Sequence, residues 1–421
     1  MDVRTALLQT IHTASRKFSP YNLLTEQLIH LPFNRPIYIF ALGKAAYQMT
    51  EAVLNHAKHE QFIRIMGGLV ITRQGYVKGP LDKMKIIQSG HPLPNEQSFE
   101  AGEEAIRFLS NLKETDILLV LLSGGGSAMM EKPEQGFTRE DIISRTEELL
   151  KNGSNIEVIN TERKKMSAIK GGKLYSYIKS KFIFIYAMSD VPGDKPKYIC
   201  SNPFLPDVEK AEEKMSLDNF HRYDGLTSSR FIPHDKAIVY KVIANNNAYC
   251  DHLRTSALEF FPNLQFDRIH IISTDLAGEA VKTGREIADM ALFINNQKTK
   301  GFTSFRTPCL LIFGGETYVN VRGKGVGGRC TELALAAAEG LARLQNVTLA
   351  AYATDGQDGF CEAAGAVVDN HTYQALLDKG INVSDCLDDN DSYTALKAVD
   401  AIIPNELTGI NVNDVVLLFV M

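Results

Sequence analysis

The chain lacks several features, and each absence removes a class of function. It has no surplus of positive charge: 45 Lys and Arg stand against 50 Asp and Glu, a formal net charge of −5. Nothing is left over to neutralise a nucleic-acid backbone, so no nucleic-acid partner is expected. No apolar stretch reaches the ~18 residues that a membrane span needs, and Met1 to Phe18 reads as an amphipathic helix. No membrane partner is expected either. The six cysteines are scattered at 200, 250, 309, 330, 361 and 386, without CxxC or Cys/His metal spacing. Several stand in apolar runs as buried thiols do, which points to a reducing, cytoplasmic setting. A GxSxG elbow is missing, and His91 before Pro92 reads as a structural turn residue, which sets aside a Ser-His-Asp hydrolase. The strand-end turns are read as forming neither the GxGxxG of a dinucleotide site nor the Walker GxxxxGK[ST].

What is present is the composition of a globular protein, 44% hydrophobic and 23% charged over 421 residues. That length is too great for one ordinary core and predicts two or three domains. Short apolar runs alternate with helical patterns. Ile37–Leu42, Gly68–Thr72, Lys85–Gln88, Ile117–Leu122 and Phe182–Met188 read as strands, and the runs with no polar break predict parallel strands covered on both faces. Ala45–Lys58 reads as a helix. Another is capped by Thr138 with Asp141 three residues on, and ended by Gly153. The stretch Asn202 to Asp235 is polar, with prolines at 203, 206 and 233, and is taken as the boundary between domains. A second series then follows, with strands at Ala237–Ala244, Arg268–Ile272, Cys309–Phe313, Val347–Tyr352 and Val415–Val420. No internal repeat or low-complexity segment is evident.

Ligands of open α/β sheets sit at the carboxyl ends of strands, so the residues after each run are the candidates. They are Gly43-Lys44, Ser123-Gly124-Gly125-Gly126-Ser127 and Ser189-Asp190 with Gly193-Asp194 in the first series. In the second they are Gly314 to Arg329, and Thr354-Asp355 with Asp358-Gly359. The stretch from Phe313 to Arg329 is the most telling: six glycines and the cations Arg322, Lys324 and Arg329 lead into a strong helix former, Glu332–Leu341. Glycines let N–H groups approach an anion, and a helix start adds the positive end of its dipole. Lys44 and Arg329 suit charge on a transferring phosphoryl group. Asp190, Asp194, Asp355 and Asp358 suit Mg²⁺, or one of them a base toward a substrate hydroxyl. Each has a plainer reading as well: a helix-start lysine, an arginine paired with a carboxylate such as Glu332, and aspartates that cap helices or turns.

The resemblance that follows rests on Gly43-Lys-Ala-Ala46, Gly90-His-Pro92, Leu122-Ser-Gly-Gly-Gly-Ser-Ala128 and Asn160-Thr-Glu-Arg-Lys164 running through Ser167-Ala-Ile-Lys-Gly-Gly172. It continues through Ser189-Asp-Val191, Gly193-Asp194, Gly278-Glu-Ala280, Gly314-Gly-Glu-Thr317, Gly327-Gly-Arg329 and Glu332-Leu-Ala-Leu335. Thr354-Asp-Gly356, Asp358-Gly359, Ala363-Ala-Gly-Ala366, Thr408-Gly409 and Asn411-Val-Asn-Asp414 complete it. In these runs the chain resembles the glycerate 2-kinase family with its MOFRL domain, some members of which carry the label hydroxypyruvate reductase. The likeness is collinear over nearly the whole chain.

That resemblance implies two three-layer α/β/α domains, residues 1–235 Rossmann-like with a mainly parallel sheet and residues 236–421 with a mixed sheet, and an active site in the interdomain cleft. It implies ATP- and Mg²⁺-dependent phosphorylation of D-glycerate at its 2-hydroxyl, in a cytoplasmic enzyme for which a homodimer is left open. Lys44, Arg329, Asp190 and Asp355 become the catalytic candidates, with Asp190, Asp194 and Asp355 as metal ligands. Ser123 to Ser127, Asn160, Arg163, Lys170, Gly171, Gly315, Glu316, Thr317 and Asn411 become the substrate- and nucleotide-binding set. Two departures bear on the acceptor. Phe204 stands in Ser201-Asn-Pro-Phe204 where relatives carry Ser-Gly-Pro-Thr, and Glu406 takes the place of a glycine. Both are expected to narrow an anion site. They leave open a kinase for a related short hydroxy acid, a hydroxypyruvate reductase, or a member that binds without turnover.

Overall fold

A computed structural model describes residues 1–29, 31, 35–60, 62–151, 156–206, 221–223, 226–231, 236–298 and 305–421. They fall into two compact units, Pro20–Asn245 and Met1–Ser19 together with Asn246–Met421. Helices cover both sides of the sheet in each. Among the described residues no helix is long and apolar enough to cross a membrane. All six cysteines are free thiols, five of them buried.

Helix α1 (Val3–Lys17) opens the chain and belongs to the unit completed by residues 246–421. The other unit runs α2 (Pro20–Leu28), β1 (Ile37–Leu42), α3 (Ala46–His59), β2 (Ile65–Arg73), β3 (Met84–Ser89), α4 (Glu96–Ser110) and β4 (Ile117–Leu122). It continues with α5 (Gly126–Met129), α6 (Arg139–Lys151), α7 (Ile156–Met166), β5 (Phe182–Met188), β6 (His221–Tyr223), β7 (Leu226–Phe231) and β8 (Ala237–Ala244). The sheet order is β3-β2-β1-β4-β5-β8-β7-β6. The six strands from β3 to β8 are parallel, and β7 and β6 add an antiparallel edge. Every residue of β4 is buried, as its unbroken apolar run requires of a strand covered on both faces. The order of the strands reverses between β1 and β4, and the carboxyl ends at such a switch point are where open α/β sheets take their ligands.

Two sequence expectations change here. The run Ala237–Ala244 does not open the second series. It pairs in parallel with β5, from Phe182 opposite Ala237 to Ala187 opposite Val242. An apolar run marks a strand and carries no record of its partner, so the expected division at 235/236 differs from the unit boundary after Asn245 and from the placement of α1. The polar stretch 202–235 also contains β6 and β7, so it is not simply a connector. Asp207, Pro233 and Asp235 lie outside the described residues, as does Gly153, the expected end of α6. The cap of that helix is as read: Asp141 accepts from the Thr138 N–H at 2.8 Å, and the Asp141 N–H donates to Thr138 Oγ1 at 3.1 Å.

In the unit completed by α1, the chain runs α8 (Asn246–Phe260), β9 (Ile269–Leu276), α9 (Ala280–Lys298), β10 (Cys309–Gly315), α10 (Arg329–Leu341), β11 (Val347–Ala353) and β12 (Ala363–Asp369). Then come α11 (Thr372–Asp378), α12 (Val383–Asp388), α13 (Ser392–Ala398), β13 (Ile402–Pro404) and β14 (Asp414–Val420). The mixed sheet is ordered β13-β12-β11-β14-β10-β9, with β9 and β10 parallel and the remaining pairs antiparallel. Helix α1 is tied in by Ser15 Oγ to the Tyr249 hydroxyl at 2.7 Å, and by Arg4 donating to the Val367 and Asp400 carbonyls at 3.1 and 2.7 Å. The last strand, β14, slots between β10 and β11. Its first residue, Asp414, therefore stands opposite both Gly315 and Ala353, the carboxyl ends of those strands.

Candidate active site

At the β1/β4 switch point the two expected turns are stitched together. The Lys44 N–H donates to the Gly124 carbonyl at 2.9 Å, and the Ala45 N–H to Ser123 Oγ at 2.9 Å. Gly43 is at φ +121°, and a Cβ there would lie 2.2 Å from the Ser123 carbonyl oxygen, so only glycine lets the turns meet. Gly125, at φ +85°, has no room either, because a Cβ would come within 3.0 Å of the His91 ring. His91 therefore stands against this turn. Helix α5 behind the turn has only four residues, so the dipole expected to aid an anion is that of a single turn. Lys44 is half-buried at this edge.

Ser127 leads from the turn into a buried polar chain. Its Oγ meets Ser201 Oγ at 2.6 Å, and Ser201 Oγ donates to Asn160 Oδ1 at 2.5 Å. The segment holding Ser201 is strained: Cys200, Ser201 and Asn202 have φ of 51°, 55° and 50°. Left-handed backbone at a non-glycine costs roughly 1–2 kcal/mol per residue. It is held by the Gly171 and Gly172 N–H groups, which donate to the Ser201 and Asn202 carbonyls. Beside it lies Glu131, a residue the sequence did not single out. Glu131 is 1% exposed, its Oε2 accepts from Lys170 Nζ, and its Oε1 accepts from Ser167 Oγ. Lys170 is equally buried, so its ammonium is an internal partner of Glu131, not the ligand contact expected of it. Burial pushes Lys170 down, with the Glu131 charge opposing and Arg163 adding to the effect. Burial likewise lowers Arg163, against the pull of Glu131. Phe204, expected to crowd an anion, instead turns into the core, 1% exposed with its ring 5.2 Å from that of Phe40.

Asp190 and Asp194 follow β5. The Asp194 carboxylate accepts from Asn245 Nδ2 at 2.6 Å, and both aspartates remain partly exposed. Among the described residues no three His, Cys, Asp or Glu side chains gather as an all-protein metal cage would need. One or two carboxylates at a strand end do fit Mg²⁺, which keeps water and phosphate oxygens as its other ligands.

The glycine-rich stretch after β10 is built differently from its sequence reading. The N–H groups of Arg322 and Gly323 donate to Asn390 Oδ1, those of Lys324 and Val326 to the Asp389 and Asp391 carboxylates, and that of Gly325 to the Asp389 carbonyl. A Cβ at Gly323 would fall 2.3 Å from Asp389 Cα, and one at Gly325 2.4 Å from Asp391 Cβ. Gly323, Gly325 and Gly328 do have GxGxxG spacing, contrary to the reading above, but Gly323 and Gly325 serve this close approach to residues 389–391, a Cβ on Gly328 would fall 2.3 Å from the Asp358 carboxylate, and all three lie beyond the strand-end turn. The start of α10 is occupied too. Asp358, 0% exposed, accepts from the Cys330 N–H at 3.1 Å, the Thr331 N–H at 2.8 Å and Thr331 Oγ1 at 2.9 Å. The donors expected to hold a phosphate are thus satisfied by an internal carboxylate. Burial raises the Asp358 carboxyl, with these hydrogen bonds and Arg329 acting the other way.

Arg329, the first residue of α10, forms ion pairs with Glu316 and with Asp414, the latter at 3.1 Å. Burial alone would depress its guanidinium, but Asp414 and the neighbouring Asp358 and Asp355 outweigh that and push it up. Glu316 thus orients Arg329, and Glu332, the alternative partner, instead accepts from Asn390 Nδ2 at 3.1 Å. Asp355 caps its own turn, accepting from the Gln357 N–H at 3.0 Å. Thr354 Oγ1 ties this turn to the segment before β14, donating to the Asn413 carbonyl at 2.6 Å and accepting from the Val412 N–H at 3.1 Å. Asn411 in that segment is 4% exposed and its Nδ2 has no hydrogen-bond partner among the described residues. Thr317 is buried beside Glu316, which is exposed, and Gly315 at φ +138° lets β10 close on Leu276. Glu406 is exposed, and its carbonyl oxygen lies where a Cβ on Gly356 would be.

Comparison with known proteins bears on both units. The family described as "Domain of unknown function (DUF4147)" matches residues 4–228, and the MOFRL family matches residues 309–414. A D-glycerate 2-kinase of Thermotoga maritima is 36% identical over 94% of this chain and 94% of its own. A glycerate 2-kinase of Pyrococcus horikoshii is 34% identical over 100% of this chain and 98% of its own. The crystal structure of a glycerate kinase from Thermotoga maritima matches with a TM-score of 0.80 and 33% identity, covering 100% of this chain and 99% of that one. Matched in sequence and fold along its whole length, this chain belongs to the glycerate 2-kinase family.

Proposed function

We propose that the protein phosphorylates D-glycerate at its 2-hydroxyl with ATP, giving 2-phosphoglycerate and ADP. The observation that carries this reading is the full-length likeness to proteins named glycerate 2-kinase, 36% and 34% identical. The bond from the γ-phosphorus to the bridging oxygen of ADP breaks as one forms to the glycerate 2-oxygen, and the hydroxyl proton passes to a base. Asp190 and Asp355 are the candidates for that base. Lys44 sets a cation at the switch point, where charge on the transferring group is best met. Arg329, already aligned by Glu316 and Asp414, offers a fixed guanidinium for phosphoryl or carboxylate oxygens. Mg²⁺ would be held by Asp190 or Asp355, with Asp194 a further candidate, and would neutralise phosphate charge. The Ser123–Ser127 turn is the candidate nucleotide contact, and Asn411 Nδ2 an available donor.

No observation favours the reductase reading, since the glycines spaced as GxGxxG are committed to residues 389–391 and to Asp358. With Phe204 in the core, only the exposed Glu406 still bears on the acceptor, so related short hydroxy acids belong in the test. Six free thiols suit a cytoplasmic enzyme, and sedimentation equilibrium would check a homodimer. The decisive experiment is ADP release from Mg·ATP with and without D-glycerate, with the product identified by phosphorus NMR. Glycerate-dependent ADP with phosphate on the 2-oxygen is expected. Release unaffected by D-glycerate and by its short 2-hydroxy-acid relatives would sink the reading, and a Lys44→Ala enzyme turning over normally would remove Lys44 from it.

A further inference from the structure

Asn160 and Arg163 stand one turn apart on α7 and so share a face. They are 2% and 8% exposed, and both are short of partners. Asn160 Oδ1 is taken by Ser201, yet its Nδ2 has no hydrogen-bond partner among the described residues. The Arg163 guanidinium, with five N–H donors, makes no hydrogen bond and no direct ion pair among the described residues. Its nearest source of compensation is Glu131, whose oxygens are already held by Lys170 and Ser167. Lys170, Arg163 and Glu131 together leave one positive charge unmatched.

A largely covered guanidinium with no hydrogen bond in the chain has little to offset its desolvation, and a buried amide donor left without an acceptor is destabilising. Proteins tolerate such groups where a ligand completes them. Here the two lie at the end of the chain Ser127–Ser201–Asn160, which begins at the β4 turn. The missing partner must be small, because the pair is nearly covered. Its charge should be about one negative unit, matching the one unmatched cation. A planar group accepting from a guanidinium fork and an amide N–H fits best. A polyphosphate carries too much charge for this cluster.

We propose that Asn160 Nδ2 and the Arg163 guanidinium bind the carboxylate of the hydroxy-acid substrate, with Glu131 a positioning residue that neutralises Lys170 and leaves Arg163 as the net charge of the cluster. This rests on the reading of the chain as a kinase for a hydroxy acid, and it assigns the part of that substrate held by the α7 end.

The test is Arg163→Met in the full chain, with both unfolding and turnover measured. Arg163→Met removes an uncompensated buried charge, so the ligand-free variant is expected to melt at or above the wild-type temperature. KM for D-glycerate should rise about 30-fold, the loss of a charge-assisted fork, while KM for ATP stays within about twofold. Glu131→Gln, which leaves two cations without an anion, should instead lower the melting temperature. A lower melting temperature for Arg163→Met with KM for glycerate unchanged would make Arg163 structural and overturn the proposal. A rise in KM for ATP alone would assign the cluster to nucleotide phosphates and overturn it equally.

Thermal stabilisation by ligand separates this from the kinase reading. Wild-type protein should be stabilised by D-glycerate and not by glycerol, which lacks the carboxylate, and Arg163→Met should lose the difference. If another 2-hydroxy acid gives that pattern and D-glycerate gives no ADP, the subsite stands and the named acceptor falls. A wild-type protein stabilised by no 2-hydroxy acid overturns the subsite.

Discussion

The end of α7 and the start of α10 each carry a largely covered arginine, and the chain treats the two in opposite ways. Arg329 meets two carboxylates, Glu316 and Asp414. Among the described residues Arg163 has only a share of Glu131, whose oxygens Lys170 and Ser167 already hold. A buried pair roughly breaks even against its desolvation, and removing one member is what costs. An arginine with no direct partner in the chain lacks that compensation, and a ligand from outside the chain can supply it. The difference separates an arginine held by the fold's own carboxylates from one left for a ligand, although the family resemblance named both as site candidates, Arg329 as catalytic and Arg163 as binding.

Truncating the paired arginine gives the largest expected effect. Arg329→Ala leaves the Asp414 carboxylate, nine-tenths covered, facing Glu316 without a cation. A loss of about 2–3 kcal/mol in urea unfolding is expected, below the figure for a fully buried pair because Arg329 is a quarter exposed. Activity should fall with it. Adding Asp414→Asn should recover much of the stability and none of the turnover. If Arg329→Ala unfolds at the wild-type midpoint, the contrast with Arg163 is lost.

The glycine-rich loops give a second contrast of the same kind. The turn after β4 leads to one helical turn, whereas the stretch after β10 spends its N–H groups on residues 389–391 and on Asp358. Asp358→Ala strips the acceptor from the Cys330 and Thr331 N–H groups at the start of α10. About 2 kcal/mol of destabilisation is expected. Phosphate or ATP should not restore it. Rescue by either anion would show that the helix start is an anion site after all.

Much of the scaffold was legible because it is local. Strands β1, β4, β5 and β8 begin and end where their apolar runs do, and Thr138 with Asp141 caps α6 as the spacing indicates. Pairing across the chain was not legible. Nothing in Ala237–Ala244 says that its neighbour is Phe182–Met188, and nothing in Gly323 or Gly325 says that Asp389 and Asp391 press against them. Glu131, in a run with Lys132 and Glu134, reads as surface, yet it is buried beneath Lys170. Phe204 took its meaning from a comparison with relatives, while its direction is set by Phe40. Asp414 gained its place at Arg329 only through the antiparallel register of β14 with β10 and β11.

The smallest expected effect sharpens the comparison from the acidic side. Glu332 is a carboxyl 2% exposed with no cation in direct contact among the described residues, held by Asn390 Nδ2 at 3.1 Å. Burial raises it above its ordinary value of 4.5, and the charges of Glu279 and Asp358 add to the rise. The folded state therefore holds this proton more tightly than the unfolded chain. Stability from that proton is present below pH 4.5 and is lost as pH rises through the folded value. Glu332→Gln keeps an acceptor for Asn390 and removes the ionisation, so it should raise the melting temperature by a few degrees at pH 7 and hardly at all at pH 4. Circular dichroism melts at the two pH values decide it. An equal change at both would mean that packing, not charge, sets the cost at Glu332, and the acidic counterpart of Arg163 would disappear.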